Sequence, residues 1–246
     1  LSDLNESLLQ RQIRELYSDI RVQSITPVIR AYLSRGSSAD RAVAEAFFAQ
    51  AADVYRHYDQ IRVLDLQGNE LIRISHRDGK TTVVPRGKLQ NKGERYYFRQ
   101  ILRLRPGEVY ASPVDLNVEG GRVERPFVPT MRLGVKVTDE AGAERGVILF
   151  NYNASGMLSE FQKSLKAYPL VRGMLLNQGG FWLSDPDSDR EWAWQLGRPE
   201  RSFAAQYPDF WYRMVTARRG EIRTRGGVYL FRQIDPFQLS LPVFGD

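Results

Sequence analysis

The sequence has no cysteine and only two histidines, His57 and His76, in 246 residues. The absence of cysteine excludes disulfide bonds and thiolate chemistry. The two histidines offer no paired spacing for zinc and no HExxH motif. A Ser-His-Asp triad would need one of them, and no GxSxG elbow is present. We therefore expect no metal, no cofactor and no catalytic site in this chain.

Phosphate-loop and calcium-loop motifs are also missing. Residues 79–81 read GKT, like the end of a phosphate loop, but Ile74 stands where the first glycine is required. Residues 185–189 alternate aspartates as a calcium loop does, yet the sixth position is Arg190 instead of glycine. The aspartates are therefore interpreted as a turn and a helix cap.

Long hydrophobic runs and clustered charge are lacking as well. No stretch of about 18 apolar residues occurs, so no membrane-spanning helix is predicted within the sequence. The chain begins with Leu1 instead of methionine, and we expect it to be part of a longer protein. The net charge is +6, with 29 arginines and six lysines spread among acidic residues. This even spread does not favour nucleic-acid binding.

A strand, a glycine-containing turn and a second strand recur along the chain. The unit occupies residues 61–74 and 135–151, and a looser copy starts at Val171. Each turn combines acidic or amide residues with glycine, and the flanking residues are of the types that favour strands. Short turns of this kind join antiparallel neighbours, so the sequence predicts antiparallel sheets.

Two helices are predicted at the N-terminus. Apolar residues recur at helical spacing over residues 1–34, a length of about 50 Å, and Pro27 is expected to kink this helix or to start a new turn. Ser37 and Asp40 form a capping box for a helix that ends near residue 58. Its predicted apolar stripe consists of Val43, Phe47, Val54 and Tyr58.

Further helices are predicted at residues 94–103, at the segment ASGMLSEFQKSL that begins at residue 154 and closes near residue 166, and at residues 189–196, the last opened by a capping box of Ser188 and Glu191. Gly226-Gly227 predicts a hairpin near the C-terminus. The expected fold class is α+β, with a long N-terminal helix and two tandem units built on antiparallel sheets. The expected boundaries are 1–37 for the N-terminal helix, 38–166 for a first unit and 167–246 for a smaller second unit.

Polar residues on strands that should face a core indicate a binding site, because buried polar groups must be paired. A small pocket with a few placed polar groups would account for them. The alternative is that the aromatic residues among them are core and that the strand arginine lies on the sheet surface. The candidate ligand-binding residues are Arg95, Tyr97, Phe98, Tyr110, Ser112, Asp115, Arg132 and Asn151.

Three segments together resemble a known family. They read YDQIRVLDLQGNELIRIS from residue 58, NKGERYYFRQ from residue 91, and GEVYASPVDLNVEGGRVERPFVPTMRLGVKVTDEAGAERGVILFNYN from residue 107. They are similar to the membrane-distal half of double Cache sensors, PAS-like extracytoplasmic domains of bacterial transmembrane receptors. The resemblance covers residues 38–165 well, and residues 168–240 resemble the membrane-proximal unit more loosely.

The resemblance implies a periplasmic domain of an inner-membrane protein. A first membrane span would precede the long helix, a second would follow Asp246, and two copies would pair through the helix as a homodimer. The distal unit would bind a small molecule such as a carboxylate or an amino acid.

The resemblance also implies roles for individual residues. Arg95, Tyr97 and Phe98 correspond to the pocket helix, and Ser112 and Asp115 correspond to the pocket strand and its loop. Asn151 occupies a position at which amino-acid-binding members carry an aspartate that holds the ligand ammonium. This departure favours an acidic ligand facing Arg95 and Arg132.

Three functions remain to be compared. The leading hypothesis is a ligand-sensing domain of a histidine kinase or diguanylate cyclase receptor, which transmits its signal through the N-terminal helix. The alternative is a periplasmic protein-interaction module that binds no small ligand. A hydrolase is disfavoured because both histidines lie in unpromising contexts.

Overall fold

The computed structural model describes residues 2–119 and 121–235, with side chains from Asn5 onward. The chain divides into two compact units. Unit 1 contains residues 2–13, 113–129 and 154–235 of the described chain, and unit 2 contains residues 14–112 and 130–153. The end of the predicted third segment, residues 236–246, lies outside the described residues. The predicted boundaries at 37/38 and 166/167 stay predictions.

Three helices open the chain. Helix α1 spans Ser2–Ser24 and contributes residues to both units, whereas α2 (Pro27–Arg35) and α3 (Ser38–Tyr55) belong to unit 2. Pro27 begins α2, where its missing N–H and fixed φ are tolerated. The side chain of Ser37 accepts a hydrogen bond from the Asp40 amide at 3.0 Å, as the capping pattern predicts.

Six strands of unit 2 form one antiparallel sheet. Their bounds are β1 Tyr58–Leu64, β2 Glu70–Arg77, β3 Lys80–Val83, β4 Val109–Ala111, β8 Pro129–Thr138 and β9 Glu144–Asn153. The strand order across the sheet is β3-β2-β1-β9-β8-β4. The two predicted strand–turn–strand units are therefore the β1–β2 and β8–β9 hairpins. A short 3-10 turn (Arg86–Lys88) and helix α4 (Tyr96–Arg103) lie between β3 and β4.

One face of the unit 2 sheet packs against the N-terminal helices. Strands β1 and β2 turn isoleucines and Val63 toward this side, and α3 contacts β1, β2 and β3 while α2 contacts β9. The side chain of Phe48 on α3 is fully buried, as is Ile20 on α1. Burying a large apolar side chain stabilises the fold by about 1.5–3 kcal/mol.

The predicted apolar stripe of α3 is wrong. Ala44, Phe48 and Ala52 are the buried residues, whereas Val43 and Val54 are exposed. The helix ends at Tyr55 because Arg56 adopts a left-handed conformation, and Tyr58 belongs to β1. Alanines at i and i+8 let α3 approach the sheet closely, which a pattern weighted toward valine did not capture.

Unit 1 contains the remaining short elements. They are β5 Asp115–Leu116, β6 Val118–Glu119, β7 Arg122–Val123, α5 Ser155–Leu165, β10 Leu175–Leu176, β11 Trp182–Ser184, a 3-10 turn Ser188–Arg190, α6 Phe203–Gln206, α7 Pro208–Thr216, β12 Arg219–Thr224 and β13 Gly227–Arg232. Pairs β6–β7, β10–β11 and β12–β13 are antiparallel hairpins. Trp182 and Phe203 form the buried aromatic centre, with ring centroids 5.9 Å apart.

The predicted helix over residues 189–196 is wrong. The chain forms a single 3-10 turn, Ser188–Arg190, capped by Asp187. Trp192 has a φ of 59°, a left-handed conformation that a helix interior does not accommodate. Glu191 accepts a hydrogen bond from the Asp185 amide at 2.9 Å instead of closing a capping box with Ser188.

The predicted fold class is confirmed: a long N-terminal helix precedes mixed α+β units built on antiparallel strands. None of the helices in residues 2–119 and 121–235 combines the length and apolar character required to cross a membrane.

Candidate functional site

A polar patch lies on the second face of the unit 2 sheet, opposite the N-terminal helices. Gln60 of β1 pairs with Asn151 of β9, which pairs with Arg132 of β8, so the three side chains form a row across three strands. Arg62 lies two residues after Gln60 and therefore on the same face. We name Gln60, Arg62, Arg132 and Asn151 the polar patch; all four are buried.

Helix α4 covers the neighbouring half of this face. Tyr97, Phe98 and Ile101 of α4 form a buried apolar cluster with residues from β1, β4 and β9: Leu64, Tyr110, Val147 and Leu149. Gly134 of β8 permits this close contact, because a Cβ there would overlap the side chain of Ile101. The sheet face thus carries an apolar cluster beneath α4 beside the polar patch, and the ammonium of Lys136 on β8 donates to the Leu102 carbonyl of α4 at 3.3 Å.

A second group of charges borders the polar patch. Glu70 of β2 places Oε2 2.9 Å from Nη1 of Arg73 and Oε1 3.3 Å from Nε of Arg62. Oε2 of Glu70 also accepts a hydrogen bond from the Gln90 amide at 3.0 Å. The side chain of Glu70 is fully buried. We name Arg62, Glu70, Arg73 and Lys92 the charged cluster.

Burial lowers the pKa of the Arg62 guanidinium, the negative charge of Glu70 partly restores it, and the positive charges of Arg132 and Arg73 lower it further. Burial also lowers the pKa of the Lys92 ammonium, followed by the positive charge of Arg62. Arginine stays protonated even so. The cluster therefore concentrates positive charge in a region of low dielectric.

The loop that carries Lys92 is fastened to the β1–β2 turn. The Lys92 amide donates to the Gly68 carbonyl at 2.7 Å, and Asn91 donates to the Gln67 carbonyl at 3.1 Å. Gly68 has a φ of +82°, and a Cβ there would lie 2.5 Å from the Cα of Gly93 and closer still to its amide nitrogen. This contact sets where α4 begins relative to β1.

The structure brings several of the candidate residues together. Tyr97, Arg132 and Asn151 adjoin the polar patch or belong to it, and the Arg132 guanidinium carbon lies 5.8 Å from the Tyr97 ring centroid. Ser112 fastens β4 to β8, because its Oγ accepts from the Arg132 amide at 2.9 Å. Tyr110 is part of the buried cluster under α4.

Three candidates have other surroundings. Phe98 is a core residue of the cluster under α4. Arg95 caps the N-terminus of α4 and is exposed. Asp115 lies in β5 and belongs to unit 1, whereas the other seven candidates belong to unit 2. Their assignment to a ligand site stays a prediction.

Four residues that belong to or adjoin the same patch are not among the candidates predicted from sequence patterns: Gln60, Arg62, Glu70 and Lys92. One signal was present: Arg62 stands between Ile61 and Val63, inside a strand that is apolar on both sides. A strand buried on both faces reads as a continuous apolar run, so an arginine within it indicates a paired or ligand-facing group.

Unit 1 contains a separate open cleft of about 310 Å³. Its walls include Phe127, Leu158 and Trp192, and its polar groups include Gln162 and Glu191. Gln162 donates a hydrogen bond to the Ser184 hydroxyl at 2.9 Å, and the Glu191 carboxylate accepts one from the Asp185 amide. Burial raises the pKa of the Glu191 carboxyl. These polar groups already have protein partners.

Solved structures share this fold. A domain of a Vibrio parahaemolyticus protein assigned to the sensory box/GGDEF family is 23% identical, with a TM-score of 0.73 over 94% of this chain and 90% of that chain. The extracellular domain of vpHK1S-Z8, assigned as a histidine kinase, is 21% identical, with a TM-score of 0.77 over 95% and 87%. The ligand-binding domain of the Pseudomonas fluorescens chemoreceptor CtaA, solved with L-serine, is 12% identical, with a TM-score of 0.54 over 92% and 83%.

Comparison with curated proteins gives no significant match. The family model described as the sensor domain of bacterial histidine kinases matches residues 7–240. That span includes nearly all of both units, and with it the sheet, α4 and the polar patch. The resemblance to bacterial receptor sensors is therefore confirmed: the chain belongs to the bacterial histidine kinase sensor domain family.

Proposed function

We propose that this sensor domain binds a small molecule at the polar patch of unit 2 and passes the signal to helix α1. The observation that carries the proposal is the burial of the patch: Arg62 is 7% exposed and Asn151 3% exposed, beside the apolar cluster under α4. Placing such groups in a core costs free energy. A ligand site explains why the chain has them there.

The setting proposed for this domain is the periplasm, between two membrane spans of an inner-membrane receptor. The family supports this setting, and so does the extracellular location of the vpHK1S-Z8 domain. The proposed output is a histidine kinase or a diguanylate cyclase. Pairing of two copies through the N-terminal helix is supported by Val22 and Ile25, which are large, apolar and exposed near the end of α1.

A metabolite screen by thermal shift tests the binding proposal, and Tyr97→Phe localises the site. Tyr97 is 6% exposed and adjoins Arg62 and Arg132, whereas its neighbour Tyr96 is 51% exposed. The Phe variant keeps the ring in the core and removes only the hydroxyl. We expect it to weaken binding of a screened ligand about tenfold, the value of one hydrogen bond in a buried site.

Tyr96→Phe is the matched control, because it removes the same group from the exposed side of the same helix. Equal ligand affinities in the two variants would show that the ligand does not bind at this patch. A screen without any ligand would favour the protein-interaction module instead.

A bulge in β1 supports the transmission step. Tyr58 pairs with Tyr152 and Gln60 pairs with Asn151, so the bulge turns Tyr58 toward the helices while Gln60 faces the patch. The Tyr58 hydroxyl donates to Oδ2 of Asp19 on α1 at 3.0 Å. Burial raises the pKa of the Asp19 carboxyl, and the hydrogen bond from Tyr58 lowers it in part. A shift of β1 at the patch would thus reach α1 directly.

Tyr58→Phe should separate binding from transmission. The ring would remain packed on Phe150, 4.7 Å away between centroids, so ligand affinity should be unchanged. The link to Asp19 would be lost, at a cost of about 1 kcal/mol in stability. Hydrogen exchange of residues 14–24 measures the effect: ligand should alter it in the wild type and not in the variant. An unchanged response in the variant would place the signal path elsewhere.

A further inference from the structure

The β12–β13 hairpin of unit 1 has one packed face and one exposed face. Side chains alternate between the two faces along each strand. On the packed face, Ile222 is 1% exposed, and the Tyr229 ring lies 5.3 Å from that of Phe210 on α7 between centroids. The opposite face includes Val228 and Leu230, which are both exposed. The hairpin therefore already packs one side against α7, and its other side adds little to the stability of the fold.

Apolar side chains and arginines share the exposed face of the hairpin. Val228 is 56% exposed and Leu230 65% exposed, and they lie two residues apart on β13, so they point to the same side. Val228 pairs with Arg223 across the hairpin, and Arg219 lies four residues before Arg223 on the same strand face. Arg225 lies in the turn between the strands. We name Arg219, Arg223, Arg225, Val228 and Leu230 the basic hairpin face.

The positive charge of this region is only partly compensated. Residues 218–232 contain five arginines and a single acidic residue, Glu221. Glu221 pairs with Arg223, and another of the arginines is neutralised by a glutamate of α1 at 2.6 Å. Among the residues that the structure describes, Arg219 and Arg225 are exposed and have no ion-pair partner. The face therefore attracts anions while it presents apolar groups to the same partner.

The combination of arginines and apolar side chains fits a lipid surface. A guanidinium binds phosphate oxygens through its planar fork, and its methylene stem can lie along apolar surface. Exposed apolar side chains of an interfacial element enter the boundary between lipid headgroups and acyl chains. Single-stranded nucleic acid would favour aromatic side chains for base stacking, but Tyr229 and Phe231 alternate with the exposed residues and lie on the other face.

We propose that the basic hairpin face docks on a bilayer that contains anionic phospholipids. Its arginines contact lipid phosphates, and its valine and leucine reach the boundary with the acyl chains. The contact is independent of ligand binding at the polar patch, which belongs to unit 2. It gives unit 1 a membrane-facing side of its own, in addition to any attachment through membrane spans.

Sedimentation of the 246-residue chain with lipid vesicles tests this contact. Vesicles of phosphatidylcholine alone are compared with vesicles in which about a third of the lipid is anionic phosphatidylglycerol. We expect binding to the anionic vesicles, little binding to the neutral ones, and a loss of most of the binding as the salt concentration rises. Equal binding to the two kinds of vesicle, or binding to neither, would overturn the proposal.

A double variant removes the two unpaired charges of the face. Arg219→Gln with Arg225→Gln should weaken binding to anionic vesicles about twentyfold, because each arginine near such a surface contributes a factor of about five. Arg86→Gln with Arg103→Gln is the matched control, since it removes two exposed arginines of unit 2 and changes the net charge equally. Equal weakening in the two double variants would show that net charge alone attracts the chain to lipid, which would overturn the docking face.

Val228→Ser distinguishes apolar contact with the bilayer from attraction by charge alone. It should weaken vesicle binding about threefold at low and at high salt, because apolar burial is not screened by ions. Val83→Ser, at a strand position of unit 2 that is 42% exposed, is the control and should bind as the wild type does. Heparin binding as tight as vesicle binding and unaffected by Val228→Ser would assign the face to a soluble polyanion. A dimer in light scattering that Leu230→Ser abolishes, without vesicle binding, would assign it to a second copy.

Discussion

Replacing Glu70 with alanine should destabilise unit 2 by about 3–5 kcal/mol, because removing one partner of a buried ion pair leaves uncompensated charge. Its carboxylate oxygens lie 2.9 Å from Nη1 of Arg73 and 3.3 Å from Nε of Arg62, and one of them accepts a hydrogen bond from the Gln90 amide. Hydrogen exchange of β1 and β9 amides measures the loss. Tryptophan fluorescence does not report on it directly, because Trp182, Trp192, Trp194 and Trp211 all lie in unit 1.

Added acetate should partly restore Glu70→Ala, since it would supply the missing carboxylate, and should stabilise the variant more than the wild type. Glu94→Ala is the control, because it removes an exposed carboxylate that pairs with Arg99 and should change stability little. Equal losses in the two variants would show that Arg62 and Arg73 are solvated and need no counter-charge.

Gly68→Ala should destabilise unit 2 by about 2–5 kcal/mol, because the cost of a left-handed backbone adds to the cost of a steric overlap. The residue has a φ of +82°, and the new Cβ would lie 2.5 Å from the Cα of Gly93 and closer still to its nitrogen. Backbone atoms cannot rotate away as a side chain does. The loop with Lys92 would be displaced from the β1–β2 turn, so the affinity for a ligand of the polar patch should fall together with stability. Thermal unfolding and calorimetry measure the two effects.

Gly79→Ala separates the two costs. Gly79 also adopts a positive φ, +70°, but a Cβ added there would have no atom within 4 Å. This variant should lose only the stability that a left-handed backbone costs, about 1–2 kcal/mol, and it should keep full ligand affinity. If Gly68→Ala lost no more than Gly79→Ala, the contact between the turn and Gly93 would not hold the loop in place.

Much of the fold followed from local patterns. Ser37 with Asp40 marks the start of α3, Pro27 marks the start of α2, and glycine-containing turns mark the hairpins. These signals work because each depends on a few neighbouring residues: a cap, a missing N–H or a left-handed turn. The antiparallel α+β architecture follows from them directly.

Features that depend on tertiary contacts could not be predicted from local sequence patterns. Ala44 and Ala52 are fully buried whereas Val43 and Val54 are exposed, and no local pattern distinguishes the two pairs. The helix predicted at residues 189–196 is absent since Trp192 adopts a left-handed backbone and Glu191 bonds to the Asp185 amide. Local propensity was overridden in both places.

The candidate site was only partly accessible from the sequence. Arg132 and Asn151 were recognised as polar residues on strands, but their neighbours across the sheet, Gln60 and Arg62, depend on strand order and register. Glu70 reads as an ordinary turn-flanking carboxylate until β2 places it against Arg62. Register fixes which face a residue occupies, and one sequence does not supply it across non-adjacent strands.

The most direct test is a crystal structure of the protein grown with a ligand from the metabolite screen. The proposed binding function predicts electron density for that ligand on the polar patch, within hydrogen-bond distance of Arg62 or Asn151. Density that leaves Arg62 bonded to protein groups alone, with the patch closed by its own side chains, would contradict it.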